Sequence, residues 1–222
     1  MLTMDDLPYR LIIAADGATD LVRPMLPDII GQYFRIMEDV ENESVLTALQ
    51  AIILKFGEDI AGLSPLIVSK LISLFQQYLS AGEDDEEAVF NAVQCLETID
   101  AVLEAVQDHP EVLAQLEPIT QPMILNLLQE GESLYEYIDS ATQMVSGYTT
   151  FSQGISPTMW SLCGPLLQVL NDWAIDYISE IMTPVLNYIS KDISTFLQGS
   201  HMGQSFVDII LSVSEKVFES SE

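Results

Sequence analysis

Apolar residues recur every three or four positions along almost the whole chain, which is the spacing of an amphipathic α-helix. Residues 29–37 show it, because apolar side chains stand at the first, second, fifth, sixth and ninth positions of that stretch. The same stripe recurs in residues 45–56, 66–78 and 89–106. Alternation with a period of two over five or more residues, which would indicate a strand, is absent. The pattern therefore predicts an all-α protein.

Prolines mark the starts of several of these stripes, among them Pro24, Pro65 and Pro157. A proline is tolerated in the first turn of a helix because the N–H that it lacks would have no partner there. The connections between stripes are short, so neighbouring helices are expected to run antiparallel. The predicted helices span residues 5–15, 24–38, 42–57, 64–80, 85–108, 111–130, 132–150, 157–171, 173–190 and 203–219.

The predicted helices also repeat in pairs. The steps from Pro27 to Pro65, then to Pro118 and Pro165, are 38, 53 and 47 residues, near the period of about 40–47 residues of HEAT and armadillo units. We therefore predict a right-handed α-solenoid of four to five antiparallel helical hairpins of the HEAT/armadillo type. Residues 1–222 are expected to form a single solenoid segment whose two ends are uncapped, as in a fragment of a longer array.

Charge narrows the choice of partner. The chain has 34 acidic and 7 basic residues, a net charge of −27, and residues 71–190 contain no Lys or Arg. Direct nucleic-acid binding is not expected, because affinity for phosphates depends on Lys and Arg. An apolar content of 49% excludes a disordered acidic tail, and the absence of about 18 consecutive apolar residues argues against membrane insertion.

Acidic residues recur at spacings of three and four in three runs, which places the members of each run on one face of a predicted helix. Like charges at this spacing destabilise an isolated helix by about 0.2–0.5 kcal/mol per pair. Runs without a nearby lysine favour a surface for a positively charged partner, and a solvated polar face is the alternative. The candidate binding residues, including an acidic turn, are Glu83, Asp84, Asp85, Glu86, Glu87, Glu97, Asp100, Glu104, Asp108, Glu132, Glu136, Asp139, Asp172, Asp176 and Glu180.

Catalytic and metal-binding signatures are missing from the sequence. It contains no GxSxG, HExxH, P-loop or GxGxxG motif, and the acidic turn at 83–87 lacks the spacing and glycine of an EF-hand loop. Cys95 and Cys163 match no metal-ligand spacing and are expected to be buried thiols. His109 is expected at the C-terminus of a helix, and His201 in an exposed turn. We predict no enzyme activity, no cofactor and no metal site.

Four stretches of the chain share a further pattern: LPDIIGQYFRIMEDVENESVLTALQAIILKFGEDI at 26–60, NAVQCLETIDAVLEAV at 91–106, MWSL at 159–162 and DWAIDYISEIMTPVLNYIS at 172–190. They resemble the importin-beta superfamily of nuclear transport receptors, and most of all its importin-seven and importin-eight branch. The resemblance extends over about residues 8–215. Such receptors are far longer, so the chain resembles a partial segment from the later half of one.

The resemblance implies that the protein acts by binding. In this family the second helices of the hairpins line a concave surface, which here would hold basic cargo such as ribosomal proteins or histones for import into the nucleus. The protein would then move between cytoplasm and nucleus. Phe-Gly nucleoporins are a further implied partner, whereas Ran-GTP would bind only through an amino-terminal region without a counterpart here. Two alternatives stay open: a HEAT-repeat interaction scaffold, and an acidic chaperone for histones or ribosomal proteins without a transport role.

Overall fold

The structure is a computed structural model that describes residues 19–39, 43–82 and 85–219. Within these ranges nearly all of the chain is helical, as the apolar stripes predict. The helices of 13 or more residues in the described ranges are α1 (Leu26–Asp39), α2 (Glu43–Lys55), α3 (Ser64–Ala81), α4 (Glu86–Ala105), α5 (Pro110–Gln129), α6 (Ile138–Phe151), α7 (Pro157–Asp172), α8 (Ile178–Lys191) and α9 (Phe206–Glu219).

Shorter elements connect the long helices. The short α-helices are Thr19–Val22, Gly57–Ile60 and Ile193–Gln198, and the 3-10 helices are Arg23–Met25, Ala61–Leu63, Gly131–Tyr137 and Ile175–Tyr177. None of the described helices is long and apolar enough to span a membrane. The helix predicted at residues 5–15 lies outside the described residues.

The chain divides into two compact units, of which the first ends at Val112 and the second begins at Leu113. In the first unit α3 packs along α4, and the four residues 82–85 connect them, so the pair is an antiparallel hairpin. The helix α4 also packs against α2, the second helix of the preceding hairpin. Leu71 and Phe75 of α3 and Leu96 and Ile99 of α4 are buried in this core.

In the second unit, too, helices pack against helices two places away along the chain. The helix α6 packs against α8, and α7 packs against both α8 and α9. Its core includes the buried side chains of Leu162, Leu166, Ile181, Val185 and Ile209. In both units a helix therefore contacts the helix two places further along the chain, as expected when helical hairpins stack. The predicted all-α class and helical-hairpin arrangement of an α-solenoid are confirmed.

A small β-hairpin precedes the last helix, where the sequence predicts only a turn. Strand β1 (Ser200–His201) pairs antiparallel with β2 (Gln204–Ser205). The residues between them, Met202 and Gly203, have φ angles of 49° and 85°, and positive φ at both central positions is typical of a two-residue hairpin turn. Because this hairpin uses residues 200–205, α9 begins three residues after the predicted start.

Candidate functional site

The first acidic run lies on α4, a second helix of the first unit. Glu97 and Glu104 are exposed, Asp100 is half-buried between them, and the opposite face of the helix is buried. Asp108 is also exposed, but it lies three residues beyond the end of α4. The prediction of one helical face is therefore confirmed for three residues of the run and is wrong for the fourth, because α4 ends before it.

The second acidic run does not share a helical face, so this part of the prediction is wrong. The backbone of Glu132 and that of Glu136 belong to a 3-10 segment, and only Asp139 lies in α6. Gly131, with a φ of 71°, separates this segment from α5, and Leu134, which lies between Glu132 and Glu136, has non-helical angles of −115° and 27°. Glu136 and Asp139 are exposed.

The third acidic run is also divided among three elements. Asp172 is the last residue of α7, Asp176 lies in a 3-10 helix, and Glu180 lies in the first turn of α8. The reason for the break is Trp173, whose φ of −145° ends α7 while its N–H donates to the carbonyl of Val169 at 3.1 Å. The three carboxylates are exposed, but the predicted helical row is wrong.

The acidic turn before α4 has a role in local structure. Residues 83–84 lie outside the described residues, whereas residues 85–87 are exposed. Asp85 is the N-cap of α4, and its Oδ1 accepts a hydrogen bond from the backbone N–H of Ala88 at 3.1 Å. The acidic side chains of residues 86–87 lie in the first turn, where negative charge is favourable. Part of this negative charge therefore stabilises the start of α4.

Beside this turn a cavity of about 230 Å³ opens between the last turns of α3 and the first turns of α4. Its polar lining comes from both helices and from the N-cap, and includes Gln77, Tyr78, Ser80, Asp85, Glu87 and Asn91. Asn91 is only 2% exposed, and its side-chain oxygen Oδ1 accepts no hydrogen bond from any described residue. We call this cavity the Asn91 pocket.

The lysines of the second unit lie at helix ends. The ammonium group of Lys191 donates to the carbonyl of Thr150 at 3.1 Å and to that of Ser152, at the end of α6. That of Lys216 donates to the carbonyl of Asn171, at the end of α7. Partial burial lowers the pKa of Lys191. No other Lys or Arg follows residue 113 in the sequence, so the strong bases of this unit are engaged with backbone carbonyls.

The two histidines differ in their surroundings. His109 follows α4, and its Nδ1 lies 3.3 Å from Oε1 of Glu111. His201 is half-buried and not exposed, so the prediction for it is wrong. It packs on Gly164 of α7 so closely that a Cβ at Gly164 would lie 2.7 Å from the Cβ of His201. This histidine therefore helps to hold the β-hairpin on α7.

The two cysteines are free and buried. Burial raises the pKa of Cys95 to about 12 and also raises that of Cys163. Both thiols are therefore protonated at neutral pH, whereas a nucleophilic cysteine needs its thiolate form. No group of three or more His, Cys, Asp or Glu residues in the described part of the chain has the arrangement of a metal site.

A buried carboxylate in the second unit was not foreseen from the sequence. Glu117 of α5 is 7% exposed, and its Oε2 accepts a hydrogen bond of 2.5 Å from the hydroxyl of Ser156. The same Ser156 Oγ accepts from the backbone N–H of Met159 at 3.1 Å and is the N-cap of α7. The available signal was the Ser-Pro pair at the start of that helix, which marks a cap but does not identify its carboxylate partner.

Several curated proteins are similar to this chain over most of its length. The Importin beta-like SAD2 homolog of Arabidopsis thaliana is 34% identical over 85% of the chain, and Importin-8 of Mus musculus is 30% identical over 81%. The Probable importin-7 homolog of Dictyostelium discoideum is 26% identical over 98% of the chain. The chain is importin-beta-like. The resemblance inferred from the sequence is thus confirmed.

This importin-beta-like chain spans about a fifth of the length of these relatives. It covers 18% of the Arabidopsis thaliana protein, 18% of the Mus musculus protein and 21% of the Dictyostelium discoideum protein. No protein-family model matches the chain, and no solved structure matches it.

Proposed function

We propose that this importin-beta-like chain is a segment of a nuclear transport receptor that binds basic cargo proteins, such as ribosomal proteins or histones, for import into the nucleus. The protein would work in both cytoplasm and nucleus. The observation that carries the proposal is the acidic row on α4, defined by Glu97, Asp100 and Glu104, in which the outer two carboxylates are exposed. The names of the relatives support the receptor class.

The spacing of the acidic row suits an extended basic segment. Glu97 and Glu104 are seven residues apart on one helix, so their backbones are roughly 10 Å apart along its axis. An extended chain advances about 3.3–3.6 Å per residue, so basic residues three positions apart would match the two carboxylates. The net charge of −27 adds long-range attraction for a cationic partner, which speeds association and makes it sensitive to salt.

The exposed carboxylates outside α4 contribute to this attraction in our proposal, but they form no second helical row. The principal contact is therefore assigned to α4. Phe-Gly nucleoporins are a second proposed partner, without assigned residues. Ran-GTP binding is assigned to no residue of this chain.

The test is a binding titration in which the purified chain is added to a fluorescently labelled core histone. The fluorescence anisotropy of the histone reports binding, and the titration is repeated between about 50 and 300 mM salt. The variant is Glu97→Gln with Glu104→Gln, and the matched control is Glu215→Gln with Glu219→Gln, two exposed residues of α9. Each exposed ion pair contributes about 0.2–1 kcal/mol. The α4 variant should therefore bind about two- to thirtyfold more weakly at low salt, and the control should lose less.

Three outcomes discriminate among the candidate functions. Equal losses in the α4 variant and in the control would refute the assignment to α4, and the absence of histone binding at low salt would refute the proposal. Histone binding without binding of a Phe-Gly peptide would favour an acidic chaperone. Partner binding that survives high salt would favour an interaction scaffold that uses apolar surfaces.

A further inference from the structure

The Asn91 pocket combines a polar lining with a buried acceptor that lacks a donor. Asn91 faces the core side of α4, between the buried residues Ala88 and Cys95, where an apolar side chain is the usual choice. Its Oδ1 is buried, and no described residue donates a hydrogen bond to it. An unsatisfied buried acceptor lowers stability and is uncommon in folded proteins. The arrangement therefore calls for a reason other than stability.

Another buried polar residue of the same helix is fully paired, which makes Asn91 the exception. The hydroxyl of Thr98 donates to the carbonyl of Gln94 at 2.6 Å and accepts from the side-chain amide of Gln50 at 2.9 Å. The packing of α4 thus supplies partners for a polar group two turns away. Among the buried polar residues of α4, Asn91 is therefore the one whose acceptor lacks a donor from the described residues, a state that it shares with Thr142 Oγ1 and Asn171 Oδ1 of the second unit.

The charges around the pocket favour a cationic donor. Asp85 and Glu87 are exposed at its rim, and the last carbonyls of α3, which carry partial negative charge, point toward the same end of the hairpin. The positive N-terminus of α4 opposes a cation, but Asp85 already caps it through the N–H of Ala88. Lysine and arginine side chains carry only donors and no acceptor, so they complement this lining.

The pocket is also large enough for a side chain. One water molecule needs a cavity of about 10–15 Å³, whereas the volume of this pocket, measured in the same way, is about 230 Å³. Rotation about the last torsion of an asparagine side chain is soft, so Oδ1 can turn toward a donor inside the pocket.

We propose that the Asn91 pocket receives one lysine or arginine side chain of the basic partner. Its head group donates to Asn91 Oδ1, and the carboxylates of Asp85 and Glu87 balance its charge. This inference rests on the proposed function and adds to it a single-residue recognition site, separate from the acidic row on α4.

The main test uses Asn91→Leu, which removes the acceptor at similar size. The free chain should become more stable to urea, because an unpaired buried polar group is replaced by an apolar one. Its affinity for a lysine-rich histone-tail peptide should fall about tenfold, as expected for the loss of a hydrogen bond to a charged group. Asn126→Leu, at an exposed position of α5, is the matched control and should change the affinity less than twofold, within the scatter of independent surface sites.

A second variant tests the sign of the charge effect. Asn91→Asp adds a carboxylate to the pocket, so it should tighten binding of the same peptide and steepen the dependence on salt. Lower stability of Asn91→Leu, or unchanged affinity in both Asn91 variants, would overturn the inference. If the acidic-row variant then still weakened binding, the proposed function would stand without the pocket.

A direct measurement separates the two proposals if the native chain binds no basic protein. The amide resonances of Ala88 and Asn91 would be followed while blocked Gly-Lys-Gly, Gly-Arg-Gly or Gly-Gln-Gly tripeptides are added. Shifts with the two cationic peptides and not with the glutamine peptide, lost in Asn91→Leu, would support the pocket even where cargo binding fails. Equal responses to all three peptides, or none, would show that the pocket is only solvent space and would overturn the inference.

Discussion

Replacement of Ser156 by alanine should destabilise the second unit by about 1.5–5 kcal/mol. The hydroxyl of Ser156 caps α7 through the N–H of Met159 and donates to the buried carboxylate of Glu117. Loss of an N-cap costs about 0.5–2 kcal/mol. Loss of the hydroxyl that donates to the buried Glu117 carboxylate adds about 1–3 kcal/mol, because water cannot replace it easily.

The chain contains a matched control in Ser205→Ala. The hydroxyl of Ser205 also accepts from a backbone N–H of the following helix, that of Asp208 at 3.1 Å, and donates to a carboxylate, Oδ2 of the same residue at 2.6 Å. Here, however, the carboxylate is exposed and water can solvate it. The expected loss is about 1 kcal/mol, from the cap alone.

Urea unfolding, monitored by tryptophan fluorescence, measures the stability lost in each of the two variants, and it reports on the second unit. Trp160 and Trp173 are the two tryptophans of the chain, and both lie in the second unit. Combining Ser156→Ala with Glu117→Gln gives a double-mutant cycle, whose coupling should be about 1.5–3 kcal/mol for a hydrogen bond to a charged group. The reasoning is refuted if Ser156→Ala and Ser205→Ala cost the same, or if the coupling is zero.

Three further predictions concern close packing, helix ends and thiols. Gly199→Ala would place a Cβ 2.2 Å from the ring of the buried Phe206 and should cost about 1–3 kcal/mol in urea unfolding, whereas Gly154→Ala, with open space around its Cβ, should stay within about 0.5 kcal/mol. Lys191→Met removes the cation at the end of α6 and should lower stability by about 0.3–1 kcal/mol at low salt, with a smaller loss at high salt. Because burial raises the pKa of Cys95 from 9.0 to about 12, the unfolded chain releases this proton at lower pH than the folded chain. Stability should therefore fall as pH rises above about 9, and a thiol reagent at neutral pH should react with neither buried cysteine until urea unfolds the chain.

The helices with long apolar stripes were predictable from the sequence. For α3 the predicted range 64–80 compares with Ser64–Ala81, and the start predicted for α4 at residue 85 is its N-cap. These boundaries follow from local chemistry, since Pro65 lies in the first turn of one helix and Asp85 caps the other. Local signals of this kind can be read without knowledge of the packing.

The lengths of the breaks at residues 131–137 and 173–177 could not be predicted in the same way. The sequence predicts helices that resume at residues 132 and 173, whereas the chain first buries Leu134 and Ala174, and α6 and α8 begin five to six residues later than predicted. Packing of this kind overrides the local preference for helix. Because two of the acidic runs were counted across these breaks, their helical rows were wrong, whereas the row on α4 lies inside a single helix.

The buried polar residues Asn91 and Glu117 were not predicted from the sequence. A signal existed for Asn91, which stands among the apolar residues of its stripe and is therefore expected to face the core. Glu117 gave no such signal, because its burial depends on Ser156, 39 residues further along the chain. Pairing over such a distance is a property of the tertiary fold.

The placement of positive charge connects the stability of the second unit with its proposed binding of a basic partner. A lysine at a helix C-terminus contributes about 0.3–1 kcal/mol, as much as the roughly 0.2–1 kcal/mol of a typical exposed ion pair. Lys191 and Lys216 donate to backbone carbonyls, and these interactions therefore contribute as much stability as surface ion pairs would. The exposed carboxylates of the unit are then available to the cations of a partner. Those carboxylates repel one another, so a basic partner that neutralises them should also stabilise the fold, by an amount that grows with partner concentration and shrinks as salt screens the repulsion.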